Sequence, residues 1–160
     1  MSNIRAVATK VLSSIVENGQ SLSTLLPKAS SSVAENDTGL LSEMCYGTCR
    51  WYHQLEMKKN ALLQKPIKRQ DSIANYLLIV GLYQLLYTRI PPHAAIFETV
   101  AATEGLGIKH LKGLINAILR NAQREIDEAE EGEINDSPFD AQRYSHPKWM
   151  AAKIRANWPE

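Results

Sequence analysis

Apolar residues recur along the chain at the three- and four-residue spacing of an α-helix, and no segment alternates like a strand. The segment from Tyr76 to Tyr87 is apolar on nearly every side, and only Gln84 interrupts it. A helix of that kind must lie inside a protein, because it has no face suited to water. The pattern therefore predicts an all-α fold, a compact helical bundle with a buried central helix.

The N-terminal part of the chain shows a clear amphipathic helix. It is predicted to span about Asn3 to Asn18, and Gly19 suits its C-cap because glycine adopts the left-handed conformation that many helices need there. A short helical turn over residues 21–26 is expected to end at Pro27. Two helical segments are thus predicted before the serine-rich stretch at 28–36.

A long helix is predicted next. Asp37 or Asn36 is expected to cap its start, and the helical spacing continues to Lys65, just before a proline. Gly47 interrupts this pattern. The glycine marks either a kink or a place where another helix comes close.

The helices of the second half are bounded by similar signals. Asp71 is expected to cap the buried helix, and Pro92 can occupy the first turn of the helix that follows it. The last core helix has one apolar face from Leu111 to Ile126. Acidic residues over Glu125–Glu131 would lie at the negative pole of this helix, so its end is expected to fray.

Charge is unevenly distributed, although the net charge is only +1. Residues 1–124 carry 14 lysines and arginines against 8 acidic residues, whereas residues 125–140 carry 8 acidic residues and no base. The predicted organisation is a helical domain over 1–131, an acidic connector over 132–143 and an amphipathic segment over 144–160. A basic body is consistent with nucleic-acid binding, and ordinary surface charge is the alternative.

One row of polar residues lies opposite the apolar face of the last core helix. Lys112, Asn116 and Arg120 are spaced by four and share a face, which Arg124 extends. Lysine and arginine bind phosphates, and asparagine can bond a sugar or a base edge. The alternatives are a solvated face and, for Asn116, a contact with a neighbouring loop. Gly113 beside the row is costly in a helix, which indicates close packing or close approach of a ligand.

Other candidate sites have simpler explanations. Cys45, Cys49 and His53 are spaced by four on one helix, but no fourth zinc ligand is evident and buried thiols are the favoured interpretation. His93 fits a histidine near a helix N-terminus better than a general base. No metal site, cofactor site or catalytic residue is assigned to this chain. Without an apolar run long enough to span a membrane or a signal peptide, the protein is expected in the cytoplasm.

Several segments together resemble a known family. Tyr-Gln-Leu-Leu-Tyr-Thr-Arg-Ile-Pro-Pro-His within Leu82–Thr99, the Lys112–Arg120 helix, Arg5–Leu12 and Leu41–Arg50 resemble the N-terminal domain of the RsmB (Fmu/Sun) family of bacterial methyltransferases. That domain is similar to NusB, an all-helical RNA-binding antitermination factor. The tail at Tyr144–Met150 resembles the junction that leads to the catalytic domain.

The resemblance implies an enzyme whose chemistry lies outside this chain. Members of this family make 5-methylcytosine in small-subunit ribosomal RNA with S-adenosylmethionine, a catalytic cysteine and a second cysteine in a Pro-Cys motif. Neither Cys45 nor Cys49 follows a proline. The resemblance therefore implies that S-adenosylmethionine binds in a missing C-terminal methyltransferase domain of the same polypeptide.

The expected function is to bind small-subunit ribosomal RNA and place it for methylation. By similarity to NusB, the arginine near the N-terminus contributes to RNA binding. The predicted RNA surface comprises Arg5, Lys10, Arg50, Arg89, Lys112, Asn116, Arg120 and Arg124. Two alternatives stay open: a free-standing NusB-like antitermination factor, and a domain that mainly braces the catalytic domain.

Overall fold

The computed structural model describes residues 3–136, with side chains as far as residue 131. In this range the chain forms seven α-helices, three short 3-10 turns and no strand. The helices are α1 (Ile4–Asn18), α2 (Leu22–Ser30), α3 (Thr38–Arg50), α4 (Tyr52–Leu62), α5 (Ile73–Tyr87), α6 (Pro92–Gly105) and α7 (Lys112–Asp136). The prediction of an all-α fold is confirmed. None of the described helices is long and apolar enough to cross a membrane.

Helix α5 is the buried helix of the bundle, as predicted. It packs against α1, α3, α4 and α6. Twelve of its fifteen residues are buried, and the exposed fraction of Leu77, Leu78 and Ile79 is zero. Full burial of a leucine or isoleucine side chain contributes about 1.5–3 kcal/mol, and α5 supplies more buried apolar side chains than any other described helix.

Both ends of α1 are capped as its sequence leads one to expect. The side-chain oxygen of Asn3 accepts hydrogen bonds from the backbone N–H groups of Arg5, at 2.8 Å, and Ala6, at 3.1 Å. Gly19 has φ +68° and its N–H donates to the carbonyl of Ile15. The predicted C-cap is confirmed, and these two caps fix where α1 begins and ends.

Proline does not end α2, contrary to the prediction. Pro27 lies inside the helix, which continues to Ser30. A proline at this position lacks an N–H group to donate to the carbonyl of Ser23, so one helical hydrogen bond is lost. The helix starts at the N-cap Ser21, whose hydroxyl accepts from the N–H of Thr24 at 3.2 Å. Pro27 is the sixth of the nine residues of α2, so the helix continues past the missing bond and proline alone did not mark its end.

The predicted long helix is two helices, α3 and α4, and the break lies at Trp51 rather than Gly47. Trp51 has φ −104° and ψ 21°, outside the helical region. At Gly47 the alternative of close approach is confirmed, because an added Cβ would overlap the ring of Tyr83 on α5. Helix α4 ends at Leu62, three residues earlier than predicted.

The two predicted acidic caps make no capping hydrogen bond. Asp37 occupies the N-cap position of α3, as predicted, but its side chain accepts no hydrogen bond from the helix. Asp71 lies in a 3-10 turn before α5, and its Oδ1 accepts a hydrogen bond from Nε2 of His110 at 3.1 Å. Its carboxylate therefore ties two distant turns together instead of capping. Pro92, by contrast, occupies the first residue of α6, as predicted.

The chain divides into two compact units, residues 1–119 and residues 120–160. Helices α1 to α6 belong to the first. In the second, the helix continues without fraying to Asp136, so the expected fraying over Glu125–Glu131 is wrong. A hydrogen bond from Nε2 of Gln123 to Oδ1 of Asp127, at 2.9 Å, supports the helix in this stretch. Residues 137–143 of the predicted connector and the predicted amphipathic segment at 144–160 lie outside the described residues, and the predicted domain boundaries stay predictions.

Candidate nucleic-acid interface

Arg5 is anchored to the interior of the bundle. It lies in the first turn of α1 and is half-buried, and its Nε donates a hydrogen bond to Oε1 of Gln84 at 3.0 Å. These two residues are 79 positions apart in the chain. Arg5, a member of the predicted RNA surface, therefore also contacts the interior of the bundle, because its side chain reaches α5.

The hydrogen-bond chain that anchors Arg5 continues from Gln84 to α6. Nε2 of Gln84 donates to Oγ1 of Thr99 on α6 at 2.8 Å and to the carbonyl of Val80 at 3.2 Å. Oγ1 of Thr99 in turn donates to the carbonyl of Ala95 at 2.7 Å. Gln84 and Thr99 both have zero exposure. Three helices, α1, α5 and α6, are thus joined by one chain of hydrogen bonds that ends at a guanidinium group.

The charge near Arg5 is mixed. Burial lowers the pKa of Arg5, and the carboxylates of Glu98 and Asp37 act in the opposite direction. Among the described residues no ion pair of 4 Å or less joins Arg5 to either carboxylate. The two acids reduce the attraction of this site for a distant polyanion, so any contribution of Arg5 must come from directed hydrogen bonds at short range.

Three other predicted residues are exposed. Lys10 lies on α1, Arg50 ends α3 and Arg89 lies in the connection between α5 and α6. The guanidinium carbon of Arg50 is 4.8 Å from the centre of the Trp51 ring, a cation–π distance. Trp51 is itself stacked on Tyr87, with ring centres 5.1 Å apart. Arg50 is therefore held against an aromatic stack, whereas Lys10 and Arg89 are exposed without such a support in the described residues.

Lys112 is paired at the surface. Its Nζ donates to Oε2 of Glu104 at 2.7 Å, and this hydrogen bond, together with the charge of Lys112, lowers the pKa of Glu104. Both side chains are more than a third exposed, so the pair is weak and an incoming phosphate can compete for the lysine. Asn116, one turn further along α7, is half-buried.

Gly113 has open space where a side chain would be. No atom of the described residues lies within 4 Å of a Cβ placed there. The prediction of close packing at this glycine is therefore wrong. Close approach of a ligand stays a prediction.

Arg120 and Arg124 belong to the second unit and are exposed on α7. Lys112 and Asn116 lie one turn apart on α7 in the first unit, and Arg120 and Arg124 lie one turn apart on α7 in the second, while a surface shared by all four stays a prediction. The buried residues of this part, Ala122 and Ile126, lie at other positions of the helix turn.

Not all predicted residues of the first unit point the same way. Arg5 and Lys10 are five residues apart, which places them about 140° apart around α1. Arg5 is linked through Gln84 to Thr99, while Lys112 pairs with Glu104 five residues further along α6. The same rotation of about 140° separates those two positions of α6. Arg5 and Lys112 are therefore both linked to α6, through Thr99 and Glu104, but these two contacts lie on different sides of that helix.

The cysteines have the surroundings of core residues. Cys45 is buried and Cys49 half-buried, and burial raises the pKa of both thiols, that of Cys45 to about 12. A thiol that resists ionisation is a poor nucleophile and a poor metal ligand. His53, the third member of the spacing, is exposed. His93 lies exposed in the first turn of α6, the position expected for it.

Gln84 and Thr99 were not among the predicted surface residues, although Gln84 bonds to Arg5 and Thr99 bonds to Gln84. Gln84 carried a signal, since a single polar residue in an otherwise apolar buried helix needs a partner. Its side-chain partners, Arg5 and Thr99, lie 79 and 15 residues away, and helical spacing says nothing about contacts over such separations.

Residues 2–124 match the NusB family, more than three quarters of the chain, and the chain belongs to this family. The fold is therefore that of an all-helical NusB domain. Among curated proteins, the chain is 43% identical over 159 residues to ribosomal RNA small subunit methyltransferase B of Erwinia tasmaniensis and of Yersinia enterocolitica. The corresponding protein of Yersinia pseudotuberculosis is 42% identical over 157 residues.

The alignments cover nearly all of this chain but only part of each relative. The alignments include 98–99% of this chain but 36% of each relative. The chain thus spans about a third of the length of the curated proteins it matches. Most of the length of those methyltransferases has no counterpart in the 160 residues.

Proposed function

We propose that this chain is the RNA-binding N-terminal domain of a small-subunit ribosomal RNA methyltransferase, and that it places the RNA for methylation of a cytosine. The observation that carries the proposal is the 43% identity along nearly the whole chain to enzymes named ribosomal RNA small subunit methyltransferase B. Membership of the NusB family supports the fold of such a domain. The RNA and the methyltransferase domain are the proposed partners.

The distribution of charge supports an RNA surface. Residues 1–124 have six more basic than acidic residues, and Lys10, Arg50 and Arg89 are exposed. A surface of this kind attracts RNA through its phosphates and releases counterions when it binds. We assign to it the eight residues predicted from the sequence, Arg5, Lys10, Arg50, Arg89, Lys112, Asn116, Arg120 and Arg124.

The chemistry itself is assigned to the rest of the enzyme. The thiols in this chain have raised pKa values, which does not suit a catalytic nucleophile. The described residues also contain no sheet on which such an enzyme would hold S-adenosylmethionine. The proposal therefore places the methyl donor and the catalytic cysteine in the methyltransferase domain.

A double charge reversal tests the RNA surface. Lys112→Glu with Arg120→Glu removes two phosphate contacts and introduces repulsion, so we expect RNA affinity at ~100 mM salt to fall by about tenfold or more. Affinity is measured by filter binding to transcribed small-subunit ribosomal RNA, and folding is checked by circular dichroism.

The matched control has the same change in net charge. Lys65→Glu with Lys68→Glu reverses two exposed lysines between α4 and α5 that are outside the predicted surface. We expect this control to lose much less affinity. Equal losses in the two double variants would mean that net charge alone attracts the RNA, and unchanged binding in the first would remove α7 from the surface.

A bracing role is the second candidate, and exposed apolar side chains favour it. Met57, Phe97 and Tyr46 are 72%, 70% and 57% exposed. Residues of this kind can contact another domain, although single exposed apolar residues are common on surfaces. Comparing the RNA affinity of this chain, the catalytic domain and the whole enzyme separates the two roles. A chain that adds nothing to the affinity of the catalytic domain would favour bracing.

A further inference from the structure

Gln84 is the one polar side chain that the interior of α5 holds at zero exposure. A buried amide without partners costs roughly 1–3 kcal/mol on protein mutational scales, so its hydrogen bonds decide whether it is tolerated. Here Oε1 accepts from Nε of Arg5 at 3.0 Å, and Nε2 donates to Oγ1 of Thr99 at 2.8 Å and to the carbonyl of Val80 at 3.2 Å. Both ends of the amide are therefore satisfied.

Thr99 determines which way the amide points. Its hydroxyl has one proton, which it donates to the carbonyl of Ala95 at 2.7 Å. Oγ1 of Thr99 can then only accept, so the NH₂ group of Gln84 must face it. The carbonyl oxygen of Gln84 is left facing α1, where it can bind a donor such as Nε of Arg5. Thr99 thus determines the orientation of the Gln84 amide, and the amide determines the orientation of the Arg5 guanidinium.

We propose that Gln84, oriented by Thr99, is a positioning residue for RNA binding, which it serves by holding the guanidinium of Arg5 in one orientation. The inference rests on the proposed function and adds a residue that acts through Arg5. The planar guanidinium has five N–H donors, and the bond to Gln84 uses only the one at Nε. The four donors on the two Nη atoms remain for a phosphate or a base edge of the RNA.

Holding the arginine before binding matters because long side chains lose rotamer freedom when a ligand orders them. Ordering one such side chain costs about 0.5–1.5 kcal/mol at an interface. The bond to Gln84 already orders part of the Arg5 side chain before RNA binds. The exposed side chains of Lys10 and Arg89 would be ordered only on binding. The carboxylates of Glu98 and Asp37 weaken long-range attraction at this site, which makes correct orientation of the donors more important.

Two substitutions remove the anchor without removing Arg5. Gln84→Met keeps the length of the side chain and deletes the acceptor, and Thr99→Val keeps the shape and deletes the hydroxyl. Thr103→Val is the matched control, because Thr103 is also fully buried on α6 but bonds only to the carbonyl of Val100. We expect the first two to weaken binding to transcribed small-subunit ribosomal RNA by about fivefold, within the coupling range of one hydrogen-bond network, and the control by less than about twofold.

A double-mutant cycle separates positioning from general damage. In an Arg5→Ala background, Thr99→Val and Gln84→Met should have almost no further effect on RNA affinity, because the residue they act through is gone. An effect that persists in this background overturns the proposal, and so does an equal loss of affinity in Thr99→Val and Thr103→Val.

A readout that needs no RNA tests the anchor directly. In the NMR spectrum of the unbound chain, the Nε–H proton of Arg5 should exchange slowly with water in the wild type and in Thr103→Val, and faster in Gln84→Met. Rapid exchange in the wild type overturns the anchor. A wild-type chain that fails to bind RNA overturns the proposed function and with it the role in RNA binding, whereas RNA binding with equal losses in all variants overturns the positioning role alone.

Discussion

Gln84 on α5 and Lys112 on α7 each hydrogen-bond to α6, but their surroundings are opposite. Gln84 has zero exposure and three hydrogen bonds to Arg5, Thr99 and Val80. Lys112 makes a single bond to Glu104, and both of those side chains are more than a third exposed. Water screens the surface pair, while the interior network has no water to replace a lost partner.

The difference separates two ways of presenting a cation to RNA. An interior network fixes the geometry of Arg5 and makes it sensitive to substitutions on other helices. A surface cation such as Lys112 supplies charge, and only changes in its immediate neighbourhood should affect it. Substitutions in the interior should therefore cost stability, whereas those on the surface of α7 should act mainly on RNA affinity.

The largest expected effect is on stability in the interior. Leu78→Ala on α5 removes a side chain of zero exposure, so we expect the free energy of unfolding to fall by about 2–5 kcal/mol. Leu114→Ala on α7, where the leucine is 41% exposed, should cost less than about 1 kcal/mol. Urea unfolding followed by circular dichroism measures both. Similar losses would contradict the contrast between the two helices.

A smaller effect is expected where α3 meets α5. Gly47→Ala places a methyl group on the ring of Tyr83, so the ring must move, at a net cost of about 1–2 kcal/mol after the gain in helix propensity. Gly39→Ala on the same helix meets no atom within 4 Å and is the matched control. We expect it to be neutral or stabilising in urea unfolding. If Tyr83→Leu is introduced first, the cost of Gly47→Ala should shrink, and an unchanged cost would show that the ring is not its cause.

The smallest effect on stability is expected on the surface of α7. Gly113→Ala should be neutral or raise the free energy of unfolding by up to about 1 kcal/mol, since open space surrounds the site. If RNA approaches this backbone closely, the same change should weaken RNA binding, though by less than the double charge reversal. Gly39→Ala again serves as the control, with no expected effect on RNA. Unchanged binding in Gly113→Ala would mean that the RNA stays away from this turn.

Features with a local cause were predictable from the sequence. The burial of α5 follows from its apolar residues on all sides, and the cap at Gly19 and the start of α6 at Pro92 follow from the backbone preferences of those residues. The break at Trp51 was missed because tryptophan is an ordinary helix residue. Its non-helical backbone lies where the ring stacks on Tyr87, a contact between distant parts of the chain.

The candidate site was predictable to a similar extent. The spacing of Lys112 with Asn116 and of Arg120 with Arg124 follows from one helix, while a surface shared by all four and its contact with RNA stay predictions. The anchor of Arg5 depends on Gln84 and Thr99, which meet only in the folded chain. Asp71 was likewise not predictable from local sequence. Its carboxylate was expected to cap α5, but it accepts a hydrogen bond from His110, 39 residues away.

If this chain binds ribosomal RNA through its own basic surface, as we propose, the affinity must depend strongly on salt. The association constant of the wild-type chain for transcribed small-subunit ribosomal RNA is measured over a range of salt concentrations. With three to five phosphate contacts, the logarithm of that constant should fall by roughly 2 to 4.5 units for each tenfold rise in salt. Binding that is absent at low salt, or that does not change with salt, would contradict the claim.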